Sequence, residues 1–173
     1  AEGVREVVLT GTQIGNYGRD LGWAEQGPRR LLEALLSQTS VPRIRLSSLQ
    51  AQDISADLAG LWKDARLCPH FHLPLQSGSD TVLGAMRRRY TADQFRQAAA
   101  TIRKAVPDVA ITTDVIAGFP GETEDDFRAT LDLCREIGFA AMHCFPYSRR
   151  LQTGAAKMAG HLPPEVRRER LER

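Results

Sequence analysis

The sequence predicts an α/β fold, a partial and open barrel of parallel strands, on three observations. Short apolar or alternating runs recur at residues 7–9, 43–46, from His70 onward, at 109–117 and at 139–145. Between successive runs lie stretches whose apolar residues recur at helical spacing. Strict alternation of strand and helix makes the strands parallel with helical crossovers, and five strands cannot close an eight-stranded barrel.

Each element has its own signal. Val7-Val8-Leu9 stops at Thr10-Gly11-Thr12-Gln13, and Gly15, Asn16, Gly18 and Gly22 predict a glycine-rich loop. Pro28 suits the first turn of a helix that carries Leu31, Leu32, Leu35 and Leu36 and ends within residues 37–40. Arg43-Ile44-Arg45-Leu46 alternates up to Ser47-Ser48, and Ile54, Leu58, Leu61 and Trp62 then share one helical stripe. The run from His70 breaks at Pro74 and opens through Gln76-Ser77-Gly78-Ser79 into a helix with Val82, Leu83 and Met86.

Thr91-Ala92-Asp93-Gln94 has the form of a capping box for a helix burying Phe95, Ala98, Ala99 and Ile102, closed by Pro107. The nearly continuous apolar run at 109–117 predicts a strand buried on both faces, ending in Gly118-Phe119-Pro120-Gly121. Thr123 starts a helix with Phe127, Leu131, Cys134 and Ile137 inward, and Gly138 stops it. The last strand leads to Pro146-Tyr147-Ser148. Residues 1–150 are thus expected to form the partial barrel. Residues 151–173 are expected to be a linker and the start of a following charged helix, solvated and internally ion-paired through Arg167 to Arg173 with Glu165, Glu169 and Glu172.

Composition narrows the class. The 173 residues suffice for a domain with a core, and 42% hydrophobic and 25% charged residues are ordinary for a soluble globular protein. A net charge of +2 gives no global case for nucleic acid, although Arg87-Arg88-Arg89 and Arg149-Arg150 leave room for a local basic strip. Cys68, Cys134 and Cys144 form no short-spaced pair, and no long apolar run or signal peptide is present. The expectation is a reduced, cytoplasmic protein without a membrane span, with Cys134 and Cys144 as small core residues.

The strand ends gather Gly11-Thr12-Gln13, Ser47-Ser48, Gln76-Ser77, Asp114 with Gly118, and Tyr147-Ser148 around one mouth. These are mostly neutral hydrogen-bonding groups, suited to a polar organic cofactor with hydroxyls and a carboxylate. Arg87 or Arg89 could pair with that carboxylate. The plainer reading is that they are turn and cap residues. No Ser-His-Asp relay and no Gly-x-Gly-x-x-Gly turn is present. His70 and His72 share a strand face and, with His143 and Asp114, would suit a metal-dependent hydrolase. Their place at the start of the strand favours packed histidines instead. The glycines of residues 118–121 precede an acidic first turn that would repel a phosphate, so they suit close approach to a flat neutral group such as adenine.

His72-Leu73-Pro74-Leu75-Gln76-Ser77-Gly78-Ser79-Asp80, Met86-Arg87-Arg88-Arg89-Tyr90-Thr91, the run from Thr113 to Thr123 and Phe145-Pro146-Tyr147-Ser148 resemble the radical S-adenosylmethionine methylthiotransferases. Leu9-Thr10-Gly11, Ile14 to Gly18, Arg43 to Leu49 and Phe145 to Arg150 are most similar to the branch acting on threonylcarbamoyl-adenosine next to the tRNA anticodon. Sister branches act on isopentenyl-adenosine in tRNA or on an aspartate of a ribosomal protein.

The resemblance implies a six-stranded partial barrel of the radical SAM type, here lacking its first strand and cluster loop. It also implies a 4Fe–4S cluster that cleaves S-adenosylmethionine, a second cluster for sulfur delivery from an unidentified donor, and tRNA as partner through its anticodon loop. The CxxxCxxC cluster spacing of the family is absent, so the chain alone is expected to be inactive, with no catalytic or metal-ligating residue of its own. Gln50-Ala51 departs from the Glu-Pro expected there. For S-adenosylmethionine the resemblance implies Thr12 and Gln13 at the amino group, Gln76 and Ser77 at the ribose, and Gly118 and Phe145 at the adenine. Asp114 joins these cofactor-binding residues, and Arg89 is placed at the carboxylate.

Overall fold

In the computed structural model, which describes residues 3–23 and 26–173, five strands alternate with helices in the expected order. The strands are β1 (Val7–Leu9), β2 (Ile44–Leu46), β3 (His70–His72), β4 (Ala110–Ala117) and β5 (Ala141–Pro146). The helices are α1 (Gly27–Gln38), α2 (Ala56–Ala59), α3 (Asp80–Ala85), α4 (Ala92–Ala105), α5 (Glu124–Ile137) and α6 (Pro164–Glu172). β1 pairs with β2 and β3 with β4, both in parallel, and the sheet orders are β1-β2 and β3-β4-β5. Parallel pairing and an open order are those of a partial β/α barrel.

Local signals set the helix ends. Thr91 and Gln94 close the first capping box, with the Gln94 amide donating to Thr91 Oγ1 at 3.2 Å and the Thr91 amide to Gln94 Oε1 at 2.9 Å. Thr123 and Asp126 make a second one at the start of α5, and Gly138 ends that helix in the left-handed region at φ 60°. Pro28 lies in the first turn of α1.

The chain divides into two compact units. The first takes Ala1–Pro74 with Gln97–Thr112. Leu32, Ile44, Phe71, Ile102 and Ile111 are buried in it. The Trp62 ring lies 4.2 Å from that of Phe71, and its indole N–H donates to the Cys68 carbonyl at 2.7 Å. The stripe expected over residues 54–62 does not form as one helix. α2 is one turn that continues as a tighter 3-10 turn, leaving Leu58 and Trp62 buried but Ile54 and Leu61 half-buried.

The second unit takes Leu75–Arg96 with Thr113–Arg173. Here α5 buries Phe127, Thr130, Leu133 and Ile137, so the inward stripe is displaced from the expected one and Leu131 is only half-buried. β4 is not buried on both faces. Ile111, Thr113, Val115 and Ala117 are buried, whereas Thr112, Asp114 and Ile116 on the opposite face are only half-buried. In a β/α barrel the crossover helices ring only the outer face of the sheet, so the two faces of a strand differ in cover.

β5 ends the sheet order and is exposed along its length, so Cys144 is exposed and not the core residue expected. Cys134 is half-buried, and burial pushes its thiol up to about 11. Glu165, Arg168, Glu169, Glu172 and Arg173 of α6 are exposed as expected, but its strongest ion pairs reach outside the helix. Arg170 is buried against Glu122, and Arg173 reaches Glu124 at 2.8 Å, while the internal pair Arg173–Glu169 is long at 3.8 Å. No helix among the described residues is long and apolar enough to cross a membrane.

Candidate functional site

Five of the residues singled out from sequence, Gln76, Asp114, Phe145, Tyr147 and Ser148, are brought to one place in the second unit. The exit of β4, the exit of β5 and the loop after β3 line a groove of 680 Å³ that contains Gln76, Asp114, Phe145 and Ser148, with Phe119 and Tyr147 as an aromatic wall. The rings of Phe119 and Tyr147 meet edge-on at 5.4 Å. Strand ends followed by loops are where parallel sheets place ligands, because the strands hold the loop origins rigidly.

Gln76 reaches the groove through a strained backbone. Its φ is 64°, the left-handed region that a non-glycine residue avoids, at a cost of about 1–2 kcal/mol. Its amide donates to the Asp114 carbonyl at 2.8 Å, and its own carbonyl accepts from the Ile116 amide at 2.9 Å, so both backbone groups are tied to β4. The next residues are clamped onto α5. Gly78 donates to Thr130 Oγ1 at 2.9 Å, and a Cβ on Gly78 would stand 2.6 Å from the Thr130 Cα. Ser79 caps α3 and donates to Asp126 at 2.5 Å. Ser77 is fully buried with its hydroxyl 3.2 Å from that of Thr130, which places it behind the groove and not on its wall.

Asp114 Oδ1 lies 3.2 Å from His143 Nδ1, and the ring of Phe145, 51% exposed, presents an apolar face to the same groove. Gly118 is at φ 78° and its N–H is taken by Glu122 Oε2 at 2.8 Å, with the Arg167 stem lying where a Cβ would project. Gly118 therefore shapes the loop and has no amide free for a ligand. Burial raises the Glu122 carboxyl above its ordinary range, against the pull of the Gly118 amide and Arg170.

A second groove of 410 Å³ shares Ile116, Phe119 and Ala155 with the first and is lined by Met86, Arg87 and Arg88. The Arg88 Nε is buried without a hydrogen-bond partner. Arg89 is exposed and lines neither groove. Sequence spacing alone could not choose among three consecutive arginines, because the turn after α3 decides which one points inward.

Thr12 and Gln13 belong to the first unit and are exposed, with Gln13 accepting from the Asn16 amide. In that unit His72 Nδ1 lies 3.0 Å and His70 Nε2 3.2 Å from Thr112 Oγ1. Burial, then the nearby charge of Arg45, lowers the pKa of His70. His70 and His72 are packed on a threonine, and no group of three or more potential metal-ligating side chains exists among the described residues. His70, His72, His143 and Asp114, the residues of the hydrolase alternative, do not form such a group among the described residues. The same observation applies to the iron–sulfur cluster: Cys68, Cys134 and Cys144 offer no ligand set for it.

The model of the family described as "Radical SAM superfamily" matches residues 2–134. The chain belongs to the radical SAM superfamily. Among curated relatives, it is 41% identical to the threonylcarbamoyladenosine tRNA methylthiotransferase MtaB of Thermotoga maritima, over 99% of this chain and 39% of that protein. It is 44% identical to the tRNA-2-methylthio-N(6)-dimethylallyladenosine synthase of Thermobifida fusca, over 100% of this chain and 35% of that one. The chain thus spans about two fifths or less of the length of these relatives. Among solved structures, the radical SAM enzyme coproporphyrinogen III oxidase (HemN) of Escherichia coli superposes with a TM-score of 0.73 at 15% identity, over 97% of this chain and 38% of that one, which shows a shared fold.

Proposed function

We propose that this chain is the ligand-holding part of a tRNA methylthiotransferase that adds a methylthio group to the C2 carbon of threonylcarbamoyl-adenosine next to the anticodon. The observation that carries the reading is near-uniform identity of 41–44%, across essentially the whole chain, to enzymes named for tRNA methylthiolation. The branch rests on the segments 9–18, 43–49 and 145–150. A dimethylallyl-adenosine substrate is the second reading, supported by synthases of that name at equal identity.

The groove of the second unit fits S-adenosylmethionine. Phe145 offers a face for the adenine, Gln76 and Asp114 offer polar groups beside it, and Arg88 offers a buried, unpartnered Nε to a carboxylate. We assign the carboxylate to Arg88 in preference to Arg89, which lies outside both grooves. Ser77 and Gly118 act from behind the wall, holding the loops that carry Gln76 and Phe119. When bound, S-adenosylmethionine supplies a hydrogen-abstracting radical, once reduced by a cluster whose ligands are outside this chain. The residues here bind and orient it, and the aromatic wall limits access of water.

The test is mass spectrometry of nucleosides in bulk tRNA from a strain lacking the full-length gene. Loss of the methylthio form of threonylcarbamoyl-adenosine, with its precursor accumulating, is the expected result. Loss of the methylthio form of the isopentenyl nucleoside instead would establish the second reading. Persistence of both would overturn the assignment to tRNA.

A further inference from the structure

Apart from Arg88 and from Arg149 and Arg167, which donate to carbonyls, the cations of the second unit fall into two groups. Arg96, Arg128, Arg135, Arg170 and Arg173 each meet a carboxylate within 4 Å. Arg87, Arg89, Arg150 and Lys157, and also Arg168 on α6, meet no carboxylate among the described residues. Of these, Arg87 lies at the lip of the second groove and Arg150 at the lip of the first. Lys157 ends the turn Ala155–Lys157, whose Ala155 lines both grooves. Two of the exposed cations that lack a partner thus line two adjoining, largely apolar hollows, and Lys157 ends a turn that borders both.

The backbone adds an independent observation. α3 ends with the Arg88 amide bonded to the Leu83 carbonyl and the Arg87 amide to the Gly84 carbonyl, both at 2.9 Å. That pattern puts Arg87 in the left-handed position where glycine or asparagine is favoured, and its φ is 57°. Arg87 and Gln76 are the two described non-glycine residues at positive φ, and each lines a groove. Strain retained beside a ligand groove marks a side chain that is needed there.

We infer that Arg87, Arg150 and Lys157 form a phosphate-gripping rim for single-stranded RNA, seating the nucleotides that flank the base presented to the grooves. This rests on the tRNA reading above and adds to it where the RNA is held. Uncompensated cations around apolar hollows match the two needs of an unpaired strand: neutralisation of phosphates and an apolar surface for a base. An acidic protein segment would meet the same charges, and the test separates the two.

In the full-length protein, binding of a labelled anticodon stem-loop RNA is followed by fluorescence anisotropy across about 50–200 mM salt. Each phosphate contact to a single strand contributes about 0.7 to the slope of log affinity against log salt. The triple variant Arg87→Gln, Arg150→Gln, Lys157→Gln is expected to lower that slope by about 2 with the fold intact by circular dichroism. Arg87→Gly alone is expected to raise the unfolding temperature yet weaken RNA binding, a pairing that a structural role for this arginine does not produce.

An unchanged slope in a folded triple variant would overturn the rim and leave the tRNA reading standing. A wild-type protein that binds an acidic peptide through these residues and does not bind the RNA would overturn both. RNA binding with the expected slope change, but no change in tRNA nucleosides in the deletion strain, would support the rim and overturn the modification assigned.

Discussion

Gln76 shows how much one residue can concede for its position. Its left-handed backbone costs stability that glycine would recover, yet its side chain lines the larger groove. Gln76→Gly in the full-length protein should raise stability by about 1 kcal/mol in chemical denaturation while weakening S-adenosylmethionine binding. A variant no more stable, or one that binds as well as wild type, would show that neither the strain nor the side chain serves the ligand. Arg88 makes the parallel case for the carboxylate. Its Nε is buried and unpartnered while Arg89 is exposed. Arg88→Gln should weaken binding roughly tenfold or more, the loss of a charge-assisted contact, and Arg89→Gln should leave it unchanged. The reverse result, read by equilibrium dialysis, would restore the choice made from sequence.

At the scale of elements, α5 is the clamp that fixes the loop carrying Gln76. Thr130 receives the Gly78 amide, and Asp126 both caps the helix through Thr123 and accepts from Ser79. Because a Cβ on Gly78 would meet backbone atoms of Thr130 and Ala129, it cannot be accommodated by a side-chain rotation. Gly78→Ala should therefore cost about 1–3 kcal/mol in stability, the range for overpacking. A neutral effect would mean that the loop and α5 are not held together as described.

The caps at Thr91 and Thr123, the stop at Gly138 and the alternation of strands and helices were legible in the sequence because each depends on residues within one turn of each other. The contacts that complete the site were not, because Thr130 meets Gly78 and Arg170 meets Glu122 across long separations. The apolar run at 139–145 likewise reads as core, and only the place of β5 at the end of the sheet order leaves Cys144 and Phe145 exposed.

Across the whole chain, the second unit carries its own ligand groove, and α6 belongs to its framework. Arg167 donates to the Tyr147 carbonyl at the exit of β5, and Arg170 pairs with Glu122 after the exit of β4. Those two loops supply the facing rings of Phe119 and Tyr147. Phe145 stands on the same groove with half its surface exposed, an aromatic face open to a stacking ligand. The account is tested most directly by S-adenosylmethionine binding to the full-length enzyme, wild type against Phe145→Ala. Stacking on an aromatic ring contributes about 1–3 kcal/mol per base, so affinity is predicted to fall roughly tenfold or more with the fold intact. Equal affinity in the two proteins would contradict the placement of the cofactor in this groove.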